Sequence, residues 1–163
     1  MLTFGNKNAS DKCIIDKIDD IVFRMLTETQ KIGKIVILTA AEYEWVLKTS
    51  EKMYKKTHQL IKKIDIISRE YKFEKDSPYV YNWKEEKMSK VLKDFCISTS
   101  DMDDGRLDVI GLGDNVKDRL ALLLSCDKLK KCVRKCVNVK SIKFFETPKE
   151  LNSIYLELKS VYS

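Results

Sequence analysis

Glycine, proline and histidine are the scarce residues of this chain: five, two and one in 163. So few turn-formers over that length predict a helix-rich protein with short connections. A single histidine, His58, leaves imidazole-based catalysis and histidine metal sites little to build on. Long apolar runs are missing too. The longest, Ile35–Leu38 with Ala40 and Ala41 just beyond, falls far short of the roughly 18 residues that read as a membrane span. Residues 1–12 lack the apolar stretch of a secretory signal, so an intracellular setting, cytoplasmic or nuclear, is expected. The five cysteines, an odd number, are then expected as thiols.

What the chain does have is apolar surface and concentrated charge. A hydrophobic fraction of 44% supports a core, and 34% charged residues exceeds the usual quarter. The net charge of +6 becomes informative once located. Lys128, Lys130, Lys131, Arg134, Lys135, Lys140 and Lys143 place seven cations over 128–143 with no acid among them, while the remaining 24 of 31 basic residues face 25 acids. The excess is a local patch. Abundant Lys, Ile, Asp, Ser and Tyr is also what an AT-rich genome encodes, a virus or a protist among the possibilities.

Residues 11–32 repeat apolar positions at helical spacing through Ile15, Ile18, Val22, Met25 and Ile32, and Gly33 suits the position after a helix end. The β-branched segment Lys34–Leu38 fits a strand or an extended connector. Thr39-Ala40-Ala41-Glu42 has the pattern of a capping box, and a long helix over 40–71 is expected behind it. Its seam runs Tyr43, Val46, Ser50, Met53, Thr57, Leu60, Ile64, Ile67 and Tyr71, alternating steps of three and four as a left-handed coiled coil requires. Self-association into a dimer is expected through Tyr43, Val46, Met53, Leu60, Ile64 and Ile67. A closed bundle with the first helix is the alternative. Trp45, Leu47 and Tyr54 lie beside the seam and offer a contact for a partner protein.

Beyond Asp76-Ser77-Pro78 the pattern changes. A helix is expected from Asn82-Trp83 through Phe95, then an acidic loop over 98–105 and a strand over 106–111. Val116–Leu124 and Asp127–Cys136 read as two helices, because their apolar phases differ and a break near Ser125 reconciles them. Val137–Phe145 reads as a strand, and Thr147-Pro148-Lys149-Glu150 opens a last helix. The expected fold is mainly α with a small α+β part. An N-terminal helical hairpin or coiled coil over 1–75 precedes a compact module over 78–163 with two or three short strands.

Most familiar chemistry fails on spacing. Cys126, Cys132 and Cys136 lack a Cys-x2-Cys pair and a fourth ligand, so buried thiols are expected and no metal or cofactor. Asp101, Asp103 and Asp104 before Gly105 have no glutamate where a calcium loop places its last ligand. Gly111-Leu112-Gly113 lacks the third glycine of a dinucleotide loop and reads as a tight turn capped by Asp114 or Asn115. His58 has no nucleophile at a recognisable spacing and reads as a surface or interface residue. The expectation is therefore a non-enzymatic, self-associating protein that contacts nucleic acid phosphates, without sequence preference, through the seven cations. An acidic protein partner would suit the same cations. The alternative is an adaptor that binds a partner protein through its N-terminal helices, as a virus-encoded protein could.

Overall fold

The computed structural model describes residues 9–69, 83–99, 105–133, 136–144 and 150–162. Its elements, in chain order, are α1 (Ala9–Ile32), β1 (Val36–Thr39), α2 (Tyr43–Met53), α3 (Lys55–Ile61), β2 (Asp65–Ser68), α4 (Trp83–Ser98), β3 (Arg106–Gly113), α5 (Val116–Lys130), β4 (Cys136–Lys143) and α6 (Leu151–Tyr162). The protein is mostly helical, with its strands in two small parallel sheets. Contacts divide it into two units, Met1–Arg69 with Pro148–Ser163, and Glu70–Thr147. The last helix, expected with the second module, thus belongs to the first unit, where it packs on α1 and Lys17 lies over the Tyr155 ring.

The same order of elements, helix, strand, helix, parallel strand, occurs once in each unit. In the first unit β1 pairs with β2 so that Val36 faces Asp65; in the second β3 pairs with β4 so that Arg106 faces Cys136. Paired positions are therefore 29 apart (36 to 65) in one unit and 30 apart (106 to 136) in the other. A parallel pair needs such a crossover, because a tight turn can only reverse the chain.

The long helix over 40–71 is overturned. Thr39 ends β1, and its hydroxyl accepts from the Ala41 N–H at 3.1 Å, so the expected capping box is a strand end followed by a turn. Helix α2 ends at Met53, and Tyr54 (φ −126°, ψ 68°) interrupts the helical backbone before α3 begins. Asp65–Ser68 then leaves the helix altogether to pair with β1, which satisfies its backbone in a ladder. The seam is consequently divided. Ser50, Thr57 and Ile64 are buried within the first unit, Tyr43 is exposed, and Val46, Met53, Leu60 and Ile67 are half-buried. Tyr71 lies outside the described residues. No single outward stripe remains for a coiled coil.

In the second unit the expected break at Ser125 is absent: α5 is one continuous helix. Its apolar positions change phase because it meets two neighbours. Leu122, Cys126 and Leu129 join Leu107 and Val137 of the sheet in the core, whereas the fully buried Ser125 donates its hydroxyl to the Glu85 carbonyl of α4 at 3.0 Å. Close approach of α5 to β3 requires Gly111, where an added Cβ would lie 2.5 Å from Leu122 Cδ2. Asn115 caps α5 by accepting from the Lys117 N–H at 2.8 Å. The helix expected to reach Cys136 ends at Lys130, and Cys136 opens β4.

Candidate functional site

Among the described residues, the cations of 128–143 are divided between a helix end and a strand. Lys128, Lys130 and Lys131 gather at the C-terminal end of α5, all exposed. Lys128 pairs with Glu85 of α4, and Lys130 with Asp127 at 3.7 Å. Arg134 and Lys135 lie outside the described residues. Side chains alternate along β4, and Val137 and Val139 face α5; Lys140 therefore points to the opposite side of the sheet. Lys143 closes the strand about 23 Å from Cys136 at 3.3 Å per residue, on the side that Lys140 does not share.

Other cations take their place. Lys90 and Lys93 of α4 come together with Lys128 around an open depression of about 390 Å³, whose wall also includes Glu86, Ser89 and Asp94. Sequence reading passed over Lys90 and Lys93 because Glu86 and Asp94 balance them locally, and only the packing of α4 on α5 joins them to Lys128. Lys90 and Lys93, beside the Lys128–Glu85 pair, can donate to the oxygens of a phosphate chain, with Glu86 and Asp94 limiting how deeply an anion enters. Nearby, the Ser89 hydroxyl is sealed from solvent without a hydrogen-bond partner. Its removal relieves an unmet polar group and improves helix propensity. Ser89→Ala is expected to raise the melting temperature of the second unit by roughly 4 °C, for a gain of about 1 kcal/mol. A fall in the circular-dichroism melt would refute it.

His58 departs from expectation. It is buried, and its Nδ1 sits 2.9 Å from Ser50 Oγ, eight residues earlier across the Tyr54 break. The Ser50 hydroxyl also lies 2.9 Å from the Leu47 carbonyl, so it sits between ring and backbone. A nucleophilic serine needs an open approach, and Ser50 is 3% exposed. The pair locks α2 to α3. Beside it, the buried carboxylate of Asp19 on α1 accepts from the backbone N–H groups of Lys56 and Thr57 at 2.8 and 2.9 Å. Burial, and secondarily the Asp19 charge, push the Tyr54 hydroxyl above its ordinary pKa.

Of the three residues expected to bind a partner protein, Trp45 is exposed, while Leu47 and Tyr54 are half-buried. Cys13, Cys132 and Cys136 are exposed rather than buried; Cys96 and Cys126 are buried, and burial raises the pKa of the Cys126 thiol and keeps it protonated. Among the described residues no three His, Cys, Asp or Glu side chains gather as a metal site would require. No described helix is long and apolar enough to cross a membrane. Comparison with family models, curated proteins and solved structures gave no match.

Proposed function

We propose that the chain is a non-enzymatic binding protein whose second unit holds nucleic acid through phosphate contacts from α4 and α5. The observation that carries this reading is the convergence of Lys90 and Lys93 with Lys128 around one depression. Lys131 extends the cationic surface at the end of α5, Lys130 faces another side of that helix, and Arg134 and Lys135 follow in sequence. Lys140 and Lys143 are left out, because strand alternation and distance separate them from it. Base-specific readout is not part of the proposal, since lysine supplies a point charge without the planar fork of arginine.

The test is fluorescence anisotropy with labelled single-stranded RNA and duplex DNA of mixed sequence, over a salt series. About four phosphate contacts give a slope of log K against log salt near −4 on duplex. Lys90→Glu with Lys93→Glu is expected to weaken binding at least tenfold and flatten that slope by about 2, whereas Lys140→Glu with Lys143→Glu changes neither. A flat salt series for the parent chain, or equal loss in both variants, ends the reading. Self-association belongs to the proposal through the exposed aromatics of α2, Tyr43 and Trp45. Sedimentation at two salt concentrations, with and without nucleic acid, separates the two behaviours. A second reading, a protein-binding adaptor, is favoured by a different observation and on a different surface from the N-terminal helices expected from sequence: the exposed leucines of α5.

A further inference from the structure

At 3.6 residues per turn, α5 presents apolar or small side chains in three directions. Leu122, Cys126 and Leu129 turn to the sheet, and Ala121 and Ser125 share the side facing α4. The third row is Val116, Leu120, Leu123 and Leu124, spaced i, i+4, i+7 and i+8. Among the described residues nothing covers it: these residues are 56%, 53%, 37% and 40% exposed. An ordinary surface helix is polar on its outer side, so an apolar outer row of this length marks a contact surface.

The surroundings of the row indicate what covers it. Helical spacing puts Lys117 and Lys128 along one margin and Arg119 and Lys130 along the other. The only acids of α5 are Asp118, already paired with Lys84 of α4, and Asp127, beside Lys130. A second copy laid antiparallel across the row would set cations against cations on both margins, which disfavours a symmetric pair. An anionic bilayer suits the flanking cations but not the row, because Asp127 falls within it and would be carried toward the acyl layer. An acidic helix matches both features, with apolar anchors for the row and carboxylates for each margin.

We propose that the outer face of α5 docks an amphipathic helix of a protein partner, apolar along one stripe and acidic on both flanks. The inference gives the adaptor reading its partner class; it rests on the exposed row and its flanking cations, of which Lys128 also lines the α4–α5 depression. The probe is a labelled synthetic helix of about 20 residues, long enough to fold, with leucines in a heptad stripe and glutamates beside them. A counterpart carries lysines in place of the glutamates. The full-length chain is expected to bind the glutamate peptide at least tenfold more tightly than the lysine peptide. Leu120→Glu with Leu124→Glu should cost at least tenfold in that affinity and leave nucleic-acid binding unchanged, which separates this failure from that of the phosphate reading.

Lys117→Glu with Arg119→Glu leaves the apolar row intact and should shift preference toward the lysine peptide, so the idea stays testable if the leucine variant misfolds. Equal binding of the two peptides, or binding of neither, overturns the proposal. Concentration-dependent assembly abolished by the leucine variant would assign the row to a second copy instead. Cosedimentation with phosphatidylcholine–phosphatidylserine vesicles, abolished by the same variant, would assign it to a membrane surface.

Discussion

Asp19→Ala is expected to destabilise the first unit by about 3 kcal/mol. Helix α3 follows directly on α2, and Tyr54, in the capping position between them, offers no side-chain acceptor to the first N–H groups of α3. Exposed to water, such groups cost little; packed against another helix, they need a partner. Asp19 supplies it from α1: one carboxylate oxygen accepts from Lys56 and the other from Thr57, while the Thr57 hydroxyl donates to the Asp19 carbonyl at 3.1 Å. Bonds to a charged acceptor contribute about 1.5–3 kcal/mol each, less where water still reaches one partner. Alanine removes both bonds and leaves the Thr57 N–H without its acceptor. Asparagine keeps a single acceptor oxygen and is expected to cost about half as much.

The chain has two tryptophans, Trp45 and Trp83, one in each unit. Urea unfolding followed by Trp45 fluorescence in a Trp83→Phe background therefore reports the first unit. A loss below about 1 kcal/mol would mean that the cap is dispensable and that α3 is held by packing alone.

That contact also explains what could be read from the sequence and what could not. Helix α1 was legible because Ile15, Ile18 and their neighbours repeat at helical spacing up to Gly33, and the helix obeys those local signals. The break at Tyr54 depends on a carboxylate more than 30 positions earlier, so no rule confined to residues 40–71 reveals it. Ile64 and Ile67 continued the seam by spacing, yet Asp65–Ser68 answers to β1, a partner visible only once the chain has folded. Short apolar runs do not distinguish helix from strand, and here the non-local ladder decided the outcome.

The site was partly legible for related reasons. Locating the excess charge drew attention to the end of α5, where Lys128, Lys130 and Lys131 are exposed. Treating a linear run as a surface patch failed where the run crosses from a helix into a strand, because the two-residue alternation turns Lys140 away. Lys90 and Lys93 carried no signal while Glu86 and Asp94 stood beside them. Two apolar phases within α5 were visible; that one unbroken helix produces both was not, because the cause lies in its neighbours, the sheet and α4. Recurrence of one strand–helix–strand plan in both units was equally hidden, since the first crossover contains a helix break and the second contains none.

Two leucines of the same helix separate these accounts most sharply. Leu129→Ala is expected to cost the second unit about 3 kcal/mol, while Leu124→Ala costs less than about 0.5 kcal/mol. Leu129 is 2% exposed and packs with Leu107, Leu122, Cys126, Val137 and Cys96, a core too small to close around a lost isobutyl group. Leu124, five positions earlier, belongs to the uncovered row, so its truncation creates no cavity. A domain of this size has roughly 4–12 kcal/mol of total stability, and the first substitution removes a large share of it. Trp83 fluorescence in a Trp45→Phe background during urea unfolding gives both values. If α5 were broken near Ser125, its two halves would rotate independently and the contrast between the leucines would shrink. Comparable losses at 124 and 129 would therefore contradict the continuous helix, and with it the outward row on which partner docking depends.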